Sequence, residues 1–549
     1  MIYTSTQDAE PIPQLDFLTF LFDGPTSLAK DDNAVLHAEA ANPDNCITKA
    51  QTRVLTRRVA HTLRNRFGIG QHGSGKDVVV VISTGQVMLP VLLMGIIAAG
   101  GVASLASASF RPEELARQIQ HGDAKLCISC SASQNTLLEA ARLIEVPLHR
   151  CLVLESTVPW RLRALTGSSH NNIVGEQELE WQRITSKEDL DNSLIFLLYS
   201  SGTTGPPKGV MMSHTNMVGQ PVLASISLRK VWRTEGKYEY RTLAHLPPTH
   251  AAGVFAYFCF PFYNGGITFW TPKFDFADFL KYNKQLKITT IVTVPPIYLL
   301  LAKSPLVKDQ FKTWRSAASG AAPLGKELQL EASKKLGVNI SQTWGMTETS
   351  AVVTMVPHSV EERTGAAGIL LPHLEIRIVD ENDKDCPAET PGEILVRGPT
   401  VTKGYYKNPT ANAETFKDGF LCTGDIGLFK NGQLYIVDRK KELIKYKGLQ
   451  IAPAELEATL LSHPRILDAA VIGVHSAELE TEVPRAYVVA DPKGISADDI
   501  KALIKERLAS YKQLRGGVVF VAEIPKSPSG KILRRELRAM ATESAKAKL

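Results

Sequence analysis

The chain has 549 residues, of which 44% are hydrophobic and 21% are charged, and its formal net charge is +6. This length exceeds what one hydrophobic core usually organises, so we expect two or more domains in a globular protein of ordinary composition. The small net charge, without long runs of Lys or Arg, argues against nucleic acid as the main partner. Seven widely spaced cysteines exclude a disulfide framework and favour a reducing compartment.

Up to about residue 190, apolar β-branched runs alternate with amphipathic segments, which predicts a parallel α/β sheet. The stretch 78–110 has no charged residue, but its glycines and Pro90 divide it into strand, helix and strand. We therefore predict a buried βαβ unit there, and no transmembrane segment. A further strand, KLCISC, carries Cys127 and Cys130, which we expect to be a buried structural pair because no second metal-ligand pair is near them.

The most informative stretch is Tyr199 to Gly209, YSSGTTGPPKG, which follows the apolar run LIFLL. It contains four hydroxyls besides the tyrosine, three glycines, two prolines and one lysine. Free backbone N–H groups with hydroxyls and an ammonium beside them are suited to bind phosphate. The Walker pattern needs Gly before the lysine and Ser or Thr after it, whereas Lys208 follows Pro207 and precedes Gly209. The sequence therefore predicts a different kind of phosphate loop.

Three further changes of pattern follow along the chain. The segment VNISQTWGMTETSAVV predicts a short strand that ends in a carboxylate-bearing turn. After Gly368, short alternating strands with turns predict a β-rich subdomain. From Asp438 a basic stretch, a helix, two strands and a second helix predict a small α+β unit of about 100 residues. After about Thr542 we expect a tail without regular structure.

Five motifs, in this order, resemble those of the adenylate-forming superfamily, which includes acyl-CoA synthetases, luciferases and peptide-synthetase adenylation domains: YSSGTTGPPKG, GMTET, TGD, DRKKELIKYKG and SPSGK. The segments IKYKGLQIAPAELE and KSPSGKILRRELR are most similar to the 4-coumarate–CoA ligase-like branch. The resemblance implies an α/β fold: a large N-terminal domain of α/β sheets with a β-rich subdomain (1–437) and a small mobile α+β C-terminal domain (438–543). It places the hinge at Asp438 and leaves 544–549 as the tail.

The family's reaction has two steps. A carboxylate attacks the α-phosphate of MgATP to give acyl-AMP and pyrophosphate, and the thiolate of coenzyme A then displaces AMP. By resemblance we expect an AMP-forming acid–thiol ligase that acts on a hydrophobic carboxylic acid. Three alternatives remain open: loading of the phosphopantetheine of a carrier protein, a luciferase-like oxidation, and a non-catalytic binding protein. The last should have lost Lys208, Glu348, Asp425 or Lys531, and all four are present.

The resemblance also implies which residues bind the nucleotide. The β- and γ-phosphates would be held by the loop residues Ser200, Ser201, Gly202, Thr203, Thr204, Gly205 and Lys208. Glu348 would hold Mg²⁺, and Thr347 would donate to the α-phosphate. Asp425 and Arg439 would bind the ribose, and Trp344 would stack on adenine. The remaining residues expected around the adenine and acyl pockets are Ser319, Gly320, Ala321, Ala322, Gly345 and Met346.

Two further sets of residues are implied for catalysis and for CoA. Lys531 would bridge the substrate carboxylate and the α-phosphate during adenylation. Lys445 and Gln450 would replace it after the small domain rotates, and Gly448 would let the pantetheine of CoA pass. His250 would stand at the entrance of the acyl pocket.

The sequence ends in Ala547, Lys548 and Leu549, which resembles a peroxisomal address of the SKL type. We therefore expect the peroxisomal import receptor as a partner, and a cytoplasmic location if this address is not used.

Overall fold

The computed structural model describes residues 1–8, 11–166, 171–200, 207–476, 478–527 and 530–546. Its strands are β1 (Ile2–Thr4), β2 (Val35–Glu39), β3 (Cys46–Thr48), β4 (Asp77–Ile82), β5 (Gly101–Ala106), β6 (Leu126–Cys130), β7 (Cys151–Glu155), β8 (Arg161–Ala164), β9 (Leu194–Ser200), β10 (Lys208–Ser213), β11 (Arg241–Ala244), β12 (Ile267–Trp270), β13 (Thr290–Thr293), β14 (Ser316–Ser319), β15 (Ile340–Trp344), β16 (Thr354–Met355), β17 (Ile369–Leu370), β18 (Glu375–Val379), β19 (Gly392–Arg397), β20 (Phe416–Lys417), β21 (Phe420–Lys430), β22 (Gln433–Arg439), β23 (Ile444–Tyr446), β24 (Leu449–Ile451), β25 (Asp468–Ser476), β26 (Thr481–Val489) and β27 (Val518–Phe520).

The α-helices are α1 (Phe17–Asp23), α2 (Lys49–Phe67), α3 (Leu89–Ala98), α4 (Pro112–His121), α5 (Gln134–Leu143), α6 (Lys187–Asn192), α7 (His214–Glu235), α8 (Ala251–Gly253), α9 (Phe260–Tyr263), α10 (Phe276–Gln285), α11 (Pro295–Lys303), α12 (Lys326–Leu336), α13 (Pro409–Thr415), α14 (Pro453–Leu461), α15 (Ala497–Arg507) and α16 (Arg534–Lys546). A π-helical turn, Val254–Cys259, joins α8 to α9, and a 3₁₀ turn covers Thr347–Thr349. Among the described residues, no helix is long and apolar enough to cross a membrane.

The first sheet confirms the βαβ unit predicted in the uncharged stretch. Strands β4 and β5 pair in parallel, α3 connects them, and all residues of the three elements are buried. Strand order in this sheet is β10-β9-β5-β4-β6-β7-β8. Both Cys127 and Cys130 of β6 are free and buried, as predicted. An apolar strand covered on both faces stabilises the sheet by removing its surface from water, at about 25 cal/mol per Å².

Two further sheets complete the α/β part. One has the order β11-β12-β2-β3 and the other the order β13-β14-β15-β16-β17. The parallel strands β13, β14 and β15 place Thr293, Ser319 and Gln342 next to one another at the carboxyl end of that sheet. Ligands bind preferentially at the carboxyl ends of such strands. The loop after β14 and the turn after β15 therefore begin where a site is expected.

The β-rich subdomain predicted after Gly368 is an antiparallel sheet of order β1-β18-β19-β21-β20, with β22 paired to β21. The register of β22 shifts between Ile426 and Gly427: Gly427 pairs with Ile436, and Ile426 pairs with Asp438. Val437 is therefore an extra residue on β22, which is a β-bulge. Beyond the bulge, Arg439 lies opposite Asp425.

The C-terminal residues form the predicted α+β unit. It contains the hairpin β23–β24 and the sheet β25-β26-β27, against which α14 and α16 pack. Helix α16 continues to Lys546, so the prediction of an unstructured tail after about Thr542 is wrong for the residues described. The Ala, Glu and Lys residues of this stretch are good helix formers, and the helix continues through them.

A buried ion pair connects the helices of this unit. The Nη2 atom of Arg534 donates to both oxygens of Glu457, at 2.7 and 2.8 Å, and the Arg534 Nε donates to the carbonyl of Val471 at 3.2 Å. Burial raises the pKa of Glu457, whereas the charge of Arg534 acts to lower it. Removing one partner of such a pair leaves an uncompensated charge in the interior.

We predict that Arg534→Met lowers the free energy of unfolding of the C-terminal unit by about 3–5 kcal/mol, because Glu457 loses its partner. Urea denaturation followed by circular dichroism measures this change. Lys501→Met is the matched control, since Lys501 pairs with Asp498 on the surface of α15 and such pairs contribute about 1 kcal/mol or less. Equal effects of the two substitutions would contradict the role given to the buried pair.

Candidate active site

The ends of the predicted phosphate loop lie side by side. Strands β9 and β10 are antiparallel, with Ser200 opposite Lys208. The loop residues between them that were predicted to bind phosphate lie outside the described residues: Ser201, Gly202, Thr203, Thr204 and Gly205. At the start of the motif, the Tyr199 hydroxyl lies 2.8 Å from Nδ1 of His121. Burial raises the pKa of Tyr199 and lowers that of His121, which favours the neutral form of both groups in this hydrogen bond.

Tyr405 connects the loop lysine to the predicted metal ligand. The Lys208 Nζ lies over the Tyr405 ring, 4.7 Å from its centroid. The Tyr405 hydroxyl donates to Oε1 of Glu348 at 2.9 Å. Glu348 lies in the buried turn Thr347–Thr349, and its carbonyl accepts from the N–H of Thr402 at 2.8 Å. The structure therefore brings together two predicted residues that lie far apart in the sequence.

Asp425 holds a second group of predicted residues together. Its Oδ2 accepts from the indole N–H of Trp344 at 2.8 Å, and its Oδ1 lies 3.4 Å from Nε of Arg439. The register of β21 and β22 places Arg439 there, since the two residues pair across the sheet. Each carboxylate oxygen has two lone pairs, so both oxygens can still accept a bond from a ligand hydroxyl.

Close backbone packing shapes the loops beside this group. A Cβ on Gly320 would lie 2.8 Å from the Thr343 Oγ1, and one on Gly345 would lie 1.6 Å from the carbonyl oxygen of Ala351. The second position therefore requires glycine, whereas a side chain at Gly320 would force Thr343 to shift. Ala321 has a φ of 69°, in the left-handed region. The small residues of these loops would permit a ligand to approach the backbone closely.

Lys531 reaches this group from the C-terminal unit. A Cβ on its neighbour Gly530 would lie 3.2 Å from Cγ2 of Val294, so the loop packs closely against the start of α11. Burial, and next the charge of Arg439, lowers the pKa of Lys531 to about 8, whereas Glu348 and Asp425 act to raise it. Lys531 therefore lies within reach of the field of both carboxylates.

His250 lies near the same lysine. Its Nδ1 accepts from the N–H of Ala252 at 3.2 Å and so caps the short helix α8. Burial, and next the charge of Lys531, lowers the pKa of His250 to about 4. The ring is therefore neutral at pH 7, with its proton on Nε2 because Nδ1 accepts.

A cavity of about 850 Å³ lies beside Lys531, between the C-terminal unit and the rest of the chain. The predicted residues that line it are Ala321, Ala322, Trp344, Gly345, Asp425, Arg439 and Lys531. Cavities of about 300–1,000 Å³ accommodate small molecules and cofactors. The cavity is thus large enough for a nucleotide, and it has carboxylates, a guanidinium and an ammonium on its walls.

Other predicted residues lie apart from the cavity or behind its wall. Lys445 and Gln450 face each other across the hairpin β23–β24 and are exposed, as is Gly448 at its turn. Ser319 is buried at the end of β14. The backbone N–H of Met346 donates to the Oγ1 of Thr349 at 3.0 Å. In this arrangement Lys531, and not Lys445, lies at the cavity.

Sequence reasoning missed Tyr405 and His121. Tyr405 donates to the predicted residue Glu348, and His121 contacts Tyr199, the first residue of the phosphate-loop motif. Neither Tyr405 nor His121 lies in a motif used above. The only signal for Tyr405 is the pair of adjacent tyrosines in KGYYKN, which reads as ordinary packing without the structure.

We predict that Lys531 titrates near pH 8 in the free protein, because burial penalises its charged form more than the nearby carboxylates stabilise it. NMR of reductively ¹³C-methylated lysines, with Lys531→Arg to assign the resonance, measures this pKa. A Lys531 resonance that titrates at the usual value for lysine would contradict the burial seen here.

The comparisons with known proteins agree along nearly the whole chain. The family of AMP-binding enzymes matches residues 29–406, and the family of AMP-binding enzyme C-terminal domains matches 455–531. A protein named as an acyl-coenzyme A synthetase from Emericella nidulans is 47% identical over 99% of both chains. 4-Coumarate–CoA ligase 1 of Solanum tuberosum is 36% identical over 90% of this chain and 89% of its own.

A solved structure shares the fold. ATP-bound MatB from Rhodopseudomonas palustris superposes with a TM-score of 0.81 at 28% identity, over 96% of this chain and 98% of that one. The resemblance carried by the five motifs is thereby confirmed, as is the expected α/β architecture. The chain belongs to the AMP-binding enzyme family, within the adenylate-forming superfamily.

Proposed function

We propose that this chain is an ATP-dependent acyl-CoA ligase, which activates a hydrophobic carboxylic acid as acyl-AMP and then transfers the acyl group to coenzyme A. The observation that carries the proposal is the position of Lys531 at one cavity with Asp425, Arg439 and Trp344. The relatives named as an acyl-coenzyme A synthetase and a 4-coumarate–CoA ligase support the same reaction.

Asp425, Trp344 and Arg439 form the nucleotide end of the proposed site. Asp425 accepts bonds from the ribose hydroxyls while Trp344 and Arg439 fix its orientation. The loops at Gly320 and Gly345 would let the adenine approach the backbone, because neither glycine has a side chain. The α-phosphate would then face Lys531.

The carboxylate of Glu348 suits Mg²⁺. It is buried, and among the described residues only Tyr405 donates to its side chain, through one of the two oxygens. Mg²⁺ commonly takes one or two protein carboxylates and completes its shell with phosphates and water, so a single Glu is sufficient. A bound Mg²⁺ would neutralise charge on the leaving pyrophosphate. Lys208 and the loop hydroxyls would bind the same phosphates.

Lys531 acts by charge in the first step. A carboxylate oxygen of the acid forms a bond to the α-phosphorus, the bond to the bridging oxygen of pyrophosphate breaks, and pyrophosphate leaves with the electron pair. Both negative groups must approach each other, and the ammonium offsets their repulsion and the charge that develops. With a pKa of about 8, Lys531 is mostly protonated at pH 7.

The second step uses another arrangement of the chain. We propose that units 1–437 and 438–543 are joined at Asp438, and that rotation there withdraws Lys531 and brings Lys445, Gly448 and Gln450 to the acyl-AMP. Their exposure on a hairpin supports this proposal, because their side chains can contact another surface after a rotation. We also propose that His250, whose ring is neutral at pH 7, lies at the entrance of the acyl pocket.

We also propose a peroxisomal location. It rests on residues 547–549 alone, which lie outside the described residues. Whether the acceptor is free coenzyme A or the phosphopantetheine of a carrier protein is decided by the assay that follows.

Purified protein is incubated with MgATP, coenzyme A and a panel of aryl, medium-chain and long-chain carboxylic acids. We expect AMP, pyrophosphate and a CoA thioester in equal amounts with at least one acid. Pyrophosphate release without consumption of CoA would favour the carrier-protein alternative. Absence of AMP with every acid would refute the proposed function.

We predict that Lys531→Ala slows acyl-AMP formation by about 100-fold or more, since removal of one preorganised charge partner has that effect in other active sites. Thioester formation from supplied acyl-AMP should change little. Pyrophosphate release and CoA consumption measure the two steps separately. An equal loss in both would contradict the role given to Lys531.

We predict that Gly530→Ala reduces acyl-AMP formation by about tenfold and spares the second step. The new Cβ is strained at a φ of 81° and lies 3.2 Å from Val294, so the loop that carries Lys531 must withdraw from α11. Gly517→Ala is the matched control: its φ is 92°, but no heavy atom lies within 4 Å of the new Cβ. A similar change of the first step in both variants would show that backbone strain alone matters.

A further inference from the structure

Tyr405 lies between the two ends of the proposed triphosphate site and contacts both. The Lys208 Nζ lies 4.7 Å from the centroid of its ring, and its hydroxyl donates to Oε1 of Glu348 at 2.9 Å. The ring face of an aromatic residue attracts a cation, and a hydrogen bond to a carboxylate is stronger than a neutral one. One side chain therefore holds a cation and an anion at a fixed separation.

The backbone of Tyr405 is fixed on both sides. Gly404 to Tyr406 pair with β10: the N–H of Met211 donates to the Gly404 carbonyl at 3.0 Å, and that of Tyr406 donates to the Gly209 carbonyl at 2.7 Å. On the other side, the Asn412 amide accepts from the Tyr405 N–H at 2.6 Å and donates to the Tyr405 carbonyl at 3.0 Å. The ring is thus held against the strand that begins at Lys208.

Two neighbouring bonds hold the turn of Glu348 to the same segment. The Thr402 N–H donates to the Glu348 carbonyl, and the Ser350 hydroxyl donates to the Thr400 carbonyl, both at 2.8 Å. Residues 400–405 therefore contact the metal-ligand turn through backbone and side chain. The segment that carries Tyr405 fixes this turn relative to β10.

Ordinary packing does not account for both polar contacts. The ring fills a small apolar cluster with Val210 and Ala411, beside Phe416, which a phenylalanine would fill equally well. The Tyr405 hydroxyl donates to Oε1 of Glu348 at 2.9 Å, a hydrogen bond that phenylalanine could not make. That bond occupies Oε1 and orients the carboxylate.

We propose that Tyr405 is a positioning residue that couples Lys208 to Glu348, so that the phosphate-binding lysine and the metal-binding carboxylate present one preorganised site to MgATP. The inference rests on the proposed function. It assigns Tyr405 no contact with the reacting atoms.

Isothermal titration calorimetry of the full chain with three probes tests this coupling: ATP with Mg²⁺, ATP with EDTA, and AMP. Tyr405→Phe should weaken MgATP binding by about tenfold, the effect of losing one hydrogen bond to a charged group. Its binding of ATP in EDTA and of AMP should be unchanged. Tyr405→Leu, which also removes the ring, should weaken ATP with and without Mg²⁺ and still spare AMP.

Tyr406→Phe is the matched control, because it makes the same change one residue along, where the ring packs on His121. Its affinities for all three probes should equal those of the unsubstituted chain. In a Glu348→Gln background, Tyr405→Phe should no longer affect MgATP binding, since the carboxylate to be positioned is gone.

Equal weakening of all three probes by Tyr405→Phe would overturn the inference, because it would show a general structural role. Unchanged MgATP affinity of Tyr405→Phe would overturn it as well. Should Tyr405→Leu fail to fold, the isosteric Tyr405→Phe still decides the matter. Failure of the unsubstituted chain to bind ATP or AMP would instead refute the proposed function, so the two failures are distinguishable.

Discussion

The arrangement of the site depends on a buried ammonium that lies within the field of two carboxylates. Desolvation of Lys531 is unfavourable, and Arg439 adds repulsion, while Glu348 and Asp425 offset part of this cost. The lysine comes from the C-terminal unit and both carboxylates from the other part of the chain. The lysine loop packs closely on the start of α11, since a Cβ on Gly530 would lie 3.2 Å from Cγ2 of Val294. Docking of the unit and the charge state of its lysine are therefore linked.

Asp438, Arg534 and Glu457 form a second set of charged contacts, which connects the proposed hinge to the C-terminal unit. Asp438 accepts from its neighbour's N–H and from the N–H of Ala454 in the first turn of α14, at 2.7 and 2.9 Å. Burial raises the pKa of Asp438, and the charge of Arg534 acts in the opposite direction. Arg534 in turn holds Glu457 of the same helix. The residue at the proposed hinge is thus tied to the unit that would move.

Much of the fold could be predicted because local pattern decides it. The βαβ unit follows from an uncharged stretch divided by glycines and Pro90, and the β-rich subdomain follows from short alternating strands. Motif residues such as Asp425 and Lys531 could be placed at one site only by resemblance. The contacts between residues could not be predicted in this way. The pairing of Asp425 with Arg439 is set by strand register, and Tyr405 acts through tertiary contacts.

The bulge at Val437 determines which backbone pairs between β21 and β22 a rotation of the C-terminal unit would have to break. Before the bulge, β22 pairs with β21 from Gln433 to Ile436, inside the antiparallel sheet. After it, Asp438 and Arg439 are paired, and the Lys440 N–H donates to the Gly424 carbonyl at 2.8 Å. A rotation at Asp438 would separate these last backbone contacts and leave the rest of the strand in place. Arg439 would then leave Asp425 in the same movement that withdraws Lys531. One rotation would thus both loosen the nucleotide and expose the acyl group to the thiol of coenzyme A.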